Sequence, residues 1–254
     1  MKAMVLAAGL GTRLRPLTDD RPKALVELNG RTLLEITLLR LRAFDIHEVI
    51  VNVHHFADLV IAFLKAHDNF GMRVEVSRED VLLDTGGGLK KAGWFFQEKL
   101  DKSPSLETDE PFLLHNVDVI STIDFAKMLQ AHRDSNALAT LAVHKRESSR
   151  QLLFSDQMRL CGRRAGKEKA PEIVCPGAQL EPLAFTGIHL ISPRLLALVK
   201  EDGIFSIIDC YLRLAAASEK ITAFRADEYY WRDLGKPADL QQAALDFETR
   251  TLWA

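Results

Sequence analysis

Cysteine is scarce in this chain, and the three present, Cys161, Cys175 and Cys210, are odd in number, stand 14 and 35 residues apart and include no Cys-x-x-Cys pair. That excludes a disulfide scaffold and a cysteine zinc site, and it suits free thiols in a reducing compartment. Long apolar runs are missing too: nothing approaches the roughly 20 apolar residues needed to cross a bilayer. The opening Met1-Lys2-Ala3-Met4-Val5-Leu6-Ala7-Ala8 breaks at Gly9 and is followed by Arg13 and Arg15, so it reads as a buried strand rather than a leader, and the expected location is cytoplasmic. Neither sign of charge dominates, since 33 Lys plus Arg stand against 35 Asp plus Glu, a net charge of -2. With no basic surplus, neither nucleic acid nor a membrane is expected as a partner, and any bound anion must be gripped locally. Aromatics are few at 7%, but 47% apolar and 27% charged residues are ordinary for a globular protein and exclude disorder, collagen and coiled coil.

What is present is an alternation of strand-like and helix-like segments. Short apolar runs at Lys2 to Ala7, Glu48 to Val53, Arg73 to Val76 and Pro111 to His115 read as strands. Between and after them, Thr32 to Phe44, Phe56 to His67, Gly88 to Lys99 and Ile123 to Arg133 carry helical spacing. This rhythm predicts an α/β fold with a mostly parallel sheet covered by helices on both faces. Asp101 to Pro111 is a loop inside one crossover rather than a domain linker. Beyond Asn136 the texture changes: strands are expected at Ala137 to Val143, Gln151 to Phe154 and Leu183 to Ile191, with Gly162 to Pro182 as a Gly- and Lys-rich separator. Helices follow at Ile204 to Ala217 and Ala238 to Phe247, with Tyr229-Tyr230-Trp231 as a short strand between them. A second, mixed sheet built onto the first is expected, all within one domain spanning 1–254 and divided near residue 135. The chain shows no internal repeat.

The loop directly after the first strand, Ala7-Ala8-Gly9-Leu10-Gly11-Thr12-Arg13-Leu14-Arg15-Pro16, is the most informative segment. Gly9 and Gly11 let backbone N–H groups come close to a phosphate, and Arg13 can add a bidentate charged contact. The Gly-x-Gly spacing alone also begins a dinucleotide fingerprint, but Leu14 stands where its third glycine belongs, and Pro16 and Pro22 prevent the helix that motif requires. The second strand ends in Asn52-Val53-His54, without the acidic residue that would grip a ribose. A nicotinamide oxidoreductase is therefore disfavoured. The chain also lacks a Gly-x-Ser-x-Gly elbow, a P-loop lysine and His-Glu-x-x-His. His54-His55 has no metal-ligand company and reads as a strand cap, and Arg163-Arg164 with Lys167 and Lys169 as a solvated hairpin tip.

Together with Pro22-Lys23-Ala24-Leu25-Val26, Asp84-Thr85-Gly86-Gly87-Gly88, Asn116-Val117-Asp118, Phe185-Thr186-Gly187-Ile188 and Trp231-Arg232-Asp233-Leu234-Gly235-Lys236-Pro237, that loop resembles the sugar-1-phosphate nucleotidyltransferases along essentially the whole chain. The resemblance implies a Rossmann-like nucleotide-binding sheet, about 1–135, merged with a smaller sugar-binding mixed sheet, about 136–254. It also implies an enzyme that makes a nucleoside-diphosphate sugar and pyrophosphate from a nucleoside triphosphate and a sugar 1-phosphate. Short length and the Asp84-Thr85-Gly86-Gly87-Gly88 run favour the branch that uses UTP and N-acetylmuramate 1-phosphate, a role in cell-envelope synthesis. Mannose-1-phosphate and heptose-1-phosphate guanylyltransferases stay open, as do a non-catalytic nucleotide-sugar sensor and self-association into a homo-oligomer.

On that resemblance Ala7, Ala8, Gly9, Gly11, Thr12 and Arg13 would bind the triphosphate, with Arg13 on its pyrophosphate part, and Lys23 would hold the α-phosphate or the incoming sugar phosphate. Asp118, just past the strand that ends at His115, and Asp233, near the end of another, would bind Mg²⁺, which prefers one or two carboxylates plus phosphate oxygens and water. Arg13, Lys23 and Asp118 are thus the expected catalytic set. Thr85 and Gly86 would contact the nucleoside, with the glycine N–H groups free to read the base edge, and Asn116 and Gly187 would lie at the sugar. Val117 stands where the family usually has a small residue.

Overall fold

The computed structural model describes residues 1–97, 110–166, 170–175 and 179–249. Their contacts fall into two units built from separated stretches: one from residues 1–82, 115–123 and 229 onward, the other from 83–114 and 124–228.

In the first unit the strands Lys2–Leu6, Glu48–Val53 and Arg73–Arg78 lie parallel with Glu48–Val53 in the middle, pairing Leu6 with Asn52 and Asn52 with Ser77. Parallel neighbours need crossovers, here the helices Leu33–Ala43 and Ala57–Ala66. The first of these starts where Thr32 Oγ1 accepts the Glu35 N–H at 3.1 Å, and it ends with Arg40 and Arg42 in the last turn, where cations suit the carbonyl end of the dipole. Ala3, Met4, Val5, Val49, Ile50 and Val51 have no exposed surface, as is normal for a sheet covered on both faces. Leu34, Leu38 and Leu41 of the first helix are equally buried, each contributing about 1.5–3 kcal/mol through burial. The parallel register puts the carboxyl ends of all three strands at one edge, and the Val117 N–H donates to Leu6 O at 3.1 Å, bringing residues 116–118 to that same edge. A short antiparallel pair, Val119–Ser121 with Trp231–Asp233, completes it. The closing helix Pro237–Thr249 is tied back through Asp246, which accepts from the Tyr230 hydroxyl at 2.7 Å and Arg232 Nη2 at 2.9 Å.

The second unit holds a mixed sheet. Ala139–His144 runs antiparallel to Glu181–Ile191 and parallel to Ile221–Arg225. Glu181–Ile191 continues antiparallel to Arg150–Phe154, which pairs with Leu160–Ala165, and that with Glu172–Ile173. Helices Phe125–Ser135 and Ile207–Ala216 pack on it, the first capped by Asp124, whose carboxylate accepts from Ala126 N at 2.9 Å; the helix Asp84–Gln97 packs on Ile207–Ala216, and a short helix, Arg194–Leu198, follows the strand Glu181–Ile191. The strand Phe112–Asn116 passes from this unit into the first between Leu114 and His115.

The α/β class expected from the alternating pattern is present. Several details differ. Within the stretch read as a separator, Gly162 to Pro182, residues 162–165 and 172–173 belong to paired strands, because antiparallel ladder bonds outweigh the poor strand propensity of Gly162 and its charged neighbours. Val119–Ser121 and Ile221–Arg225 were not expected as strands, nor Arg194–Leu198 as a helix. The helix expected from Gly88 begins at Asp84, taking all three glycines into its first turns. The loop expected at Asp101 to Pro111 lies, up to residue 109, outside the described residues, as do Lys167 and Lys169. All three cysteines are free thiols, and among the described residues no helix is long and apolar enough to cross a membrane.

Candidate active site

The first strand ends in buried apolar residues, and the chain must then turn without blocking the sheet edge. Ala7 and Ala8 stay buried, while Gly9 is exposed and a Cβ there would meet nothing within 4 Å. Gly11 takes φ +64, which a side chain rarely tolerates, and a Cβ there would stand 2.9 Å from Thr18 Cγ2 and 3.2 Å from Lys23 Cβ. The loop therefore returns against the stem of Lys23 only because Gly11 is bare. Thr18 Oγ1 donates to Gly11 O at 2.9 Å, and the Leu14 N–H to the same oxygen at 2.8 Å, closing a single helical turn over Thr12–Leu14. Leu14 is wholly buried and Arg13 beside it exposed, so the turn anchors on one side chain and presents the other.

Lys23 is 9% exposed, and its ammonium is ion-paired with Asp118. Asp118 lies two residues past the strand Phe112–Asn116, in the turn to Val119–Ser121. Pairing of Val119 with Asp233, and the Leu234 N–H donating to Asp118 O at 2.7 Å, bring the second carboxylate to the first across 115 residues of chain. Burial, and then the charge of Asp118, push the Asp233 carboxyl above the ordinary carboxylate range; the Gly235 N–H at 2.7 Å, Lys23 and Arg13 act the other way. A Cβ at Gly235 would fall 2.5 Å from Arg13 Nη2 and 2.6 Å from Asp233 Oδ1, so Gly235 is what lets guanidinium and carboxylate share this space. Arg13, Lys23, Asp118 and Asp233, expected from four separate motifs, thus form one cluster of two cations and two carboxylates inside the first unit.

The donor set fits the divalent ion that the family implies. Two carboxylates face one another closely enough for one to raise the other, and among the described residues no group of three or more His, Cys, Asp or Glu forms a protein-only cage. An oxygen-seeking cation held by two aspartates would draw its remaining ligands from phosphate and water, the manner of Mg²⁺.

Other expected residues are placed as follows. Thr12 is exposed and Asn116 half-buried. Val117 is 3% exposed. In the second unit, the N–H groups of Gly86 and Gly87 both donate to Phe205 O, at 3.0 and 3.3 Å, and the Thr85 hydroxyl accepts the Ile207 N–H at 3.0 Å. A Cβ at Gly86 would overlap the Phe205 ring at 2.3 Å. The expectation that these N–H groups are free is corrected: the glycines allow close packing of the helix start on residues 203–207. Gly187 has φ +83 at an irregularity in the strand Glu181–Ile191, and Thr186 Oγ1 donates to Ala142 O at 2.8 Å. His54 Nδ1 bonds Glu79 O at 2.8 Å, an end-of-strand tie as expected.

Two residues with a place here were not singled out by their sequence. Asn52 accepts the Ala7 N–H on Oδ1 at 2.8 Å, and its Nδ2 donates to Glu79 Oε1 at 2.6 Å. The available signal was an amide inside the apolar run Val49-Ile50-Val51-Asn52-Val53, since a buried polar side chain must find partners.

Comparison with known proteins identifies the family. The nucleotidyl transferase family model matches residues 2–152, more than half of the chain. The chain belongs to this family. An N-acetylmuramate alpha-1-phosphate uridylyltransferase of Caulobacter vibrioides is 35% identical over 257 aligned positions, covering 98% of this chain and 96% of that protein. A mannose-1-phosphate guanyltransferase of Yarrowia lipolytica is 29% identical, covering 94% of this chain but 62% of the relative. Among solved structures, HddC from Yersinia pseudotuberculosis complexed with GMP-PN shares the fold with a TM-score of 0.74 at 22% identity, over 97% of this chain and 99% of the other. A putative glucose-1-phosphate thymidylyltransferase from Bacillus anthracis does so with 0.75 at 19%, over 96% and 94%. This nucleotidyltransferase is accordingly an enzyme of the sugar-1-phosphate class, and the non-catalytic sensor reading is set aside.

Proposed function

We propose that this nucleotidyltransferase joins UTP and N-acetylmuramate 1-phosphate into the UDP-sugar, releasing pyrophosphate. The observation that carries this choice is the 35% identity to the uridylyltransferase, with nearly the full length of both chains aligned. Cytoplasmic action and a role in cell-envelope synthesis follow from it as part of the same proposal.

The residues support a direct route. A phosphate oxygen of the sugar 1-phosphate attacks the α-phosphorus, the bond from that phosphorus to the bridging oxygen breaks, and pyrophosphate leaves with the electron pair. Such transfer needs charge neutralised and the attacking oxygen aligned more than it needs a protein nucleophile. Arg13, exposed at the loop and close to Gly235, would grip the pyrophosphate part with its planar fork. Lys23 would exchange its bond to Asp118 for one to phosphate, which leaves Asp118 and Asp233 to hold Mg²⁺. When bound, that ion would screen the triphosphate and stabilise the leaving oxygens. The open space at Gly9 would receive phosphate close to the backbone. The roles of Thr85, Gly86, Asn116 and Gly187 toward nucleoside and sugar rest on the motif resemblance.

The test is a pyrophosphate-release assay crossing UTP, GTP, CTP, ATP and dTTP with the 1-phosphates of N-acetylmuramate, mannose, glucose and heptose. UTP with N-acetylmuramate 1-phosphate is expected to exceed every other pair in kcat/KM by about tenfold or more, since groups that pair with the wrong base are left unsatisfied. A preference for GTP with mannose 1-phosphate would overturn the choice of substrate.

A further inference from the structure

The Asn52 side chain sits between two partners that allow it one orientation. The Ala7 N–H can only donate, so it faces Oδ1 at 2.8 Å; the Glu79 carboxylate accepts, so it faces Nδ2 at 2.6 Å. Asn52 and Glu79 are each 2% exposed. Glu79 is itself held by its backbone, with its N–H donating to Val53 O at 2.7 Å and its carbonyl bonded by His54 Nδ1 at 2.8 Å. The relay therefore runs from the segment after the third parallel strand, through the second strand, to the first residue of the loop after the first strand. Leu6 and Asn52 are register partners, so this side chain stands where the loop leaves the sheet.

Burying an amide and a carboxyl side chain is costly compared with packing apolar residues of similar size, and filling this part of the sheet does not require them. What they accomplish is local: the bond to the Ala7 N–H fixes the peptide plane from which Ala8, Gly9, Leu10 and Gly11 continue. We propose that Asn52 and Glu79 are positioning residues that hold the start of the phosphate loop in the orientation in which its later N–H groups meet a triphosphate. This rests on the reading of residues 7–13 as a phosphate loop. The two residues act through the backbone at Ala7.

The test uses the whole protein and does not depend on turnover. Asn52→Leu keeps the volume and removes both bonds; Asn52→Thr suits a strand, but its hydroxyl is too short to span both partners, and it serves if the leucine variant fails to fold. Amide hydrogen exchange at Ala7 should quicken in either variant. Calorimetry with UTP, GTP, CTP, ATP and dTTP should show the triphosphate preferred by the parent bound about tenfold or more weakly by the variant, the scale expected when a buried bond that organises a site is lost. The monophosphate of the same base should lose several-fold less affinity, a difference that a general loss of stability would not produce. Unchanged exchange at Ala7, or equal losses for mono- and triphosphate, would overturn the proposal. A parent that binds GTP rather than UTP would refute only the choice of base, whereas a parent that binds no triphosphate would overturn both readings.

Discussion

Asp233→Asn is expected to lower kcat/KM by about 10²- to 10³-fold, while the variant at neutral pH is as stable as the parent or more so. The second half follows from linkage. Burial and the neighbouring Asp118 raise the folded-state value of the Asp233 carboxyl above its unfolded one, so the folded protein holds this proton more tightly than the unfolded chain. Stability is then lost as pH rises from the ordinary carboxylate value, about 3.9, through the raised one. Asparagine carries no charge to lose, and its Oδ1 can still accept the Gly235 N–H. Asp118→Asn should impair activity to a similar degree, with the opposite effect on stability, because it leaves the nearly buried Lys23 ammonium without its carboxylate; a cost of about 2 kcal/mol is expected. Steady-state pyrophosphate release with thermal unfolding at pH 7 and below pH about 4 checks both. An Asp233→Asn variant clearly less stable than the parent at pH 7 would contradict the electrostatic picture of the pair.

Gly235→Ala is expected to reduce kcat/KM by about a hundredfold, the scale of an ångström-sized misplacement, with the fold intact by circular dichroism. The added methyl would sit 2.5 Å from Arg13 Nη2 and 2.6 Å from Asp233 Oδ1, and both site groups must move away to admit it. Gly9→Ala is the informative contrast. A methyl there meets nothing in the protein, so thermal stability should be unaffected; a rise in KM for the triphosphate would therefore report phosphate in that space. Full activity in Gly235→Ala would remove Arg13 and Asp233 from a shared role.

Much of this candidate site was legible because several short motifs occur together in the order seen in the sugar-1-phosphate nucleotidyltransferases, although any one of them alone has other uses. Gly9-Leu10-Gly11, Arg13 and Lys23 all follow the first strand, Lys23 standing 17 residues past Leu6, and the α/β rhythm places that strand's end at a sheet edge. How the second carboxylate arrives was not legible: it depends on the three-residue strand Val119–Ser121, whose partner is about a hundred residues away and whose hydrophobic run is too short to carry a period. The helix was expected only from Gly88, but packing of Gly86 against Phe205 and of Gly87 against Gly203 takes the earlier glycines into it, with tertiary fit overriding helix propensity. Asn52 was noted as the absence of an acidic residue, and the signal it did carry, an amide inside an apolar run, says that it needs partners but not which. Its partners come from two other strand ends, and nothing in its immediate neighbours announces them.

On the proposed function, the cluster of two cations and two carboxylates transfers the nucleotidyl group directly, without a covalent protein intermediate. Of the histidines nearest in sequence to the site's strands, burial and a backbone tie hold two away from a nucleophile's part, and His55, which is exposed, is the one the measurement must exclude. His115 is 1% exposed, its imidazole pushed down to about 4 by burial, and His54 is tied to the Glu79 carbonyl. The measurement is the configuration at phosphorus when a chiral α-thio nucleoside triphosphate is turned over with the preferred sugar 1-phosphate. One in-line displacement predicts inversion, with initial-rate lines that intersect because both substrates are bound together; net retention, with parallel lines and an isolable nucleotidyl-protein, would contradict the account.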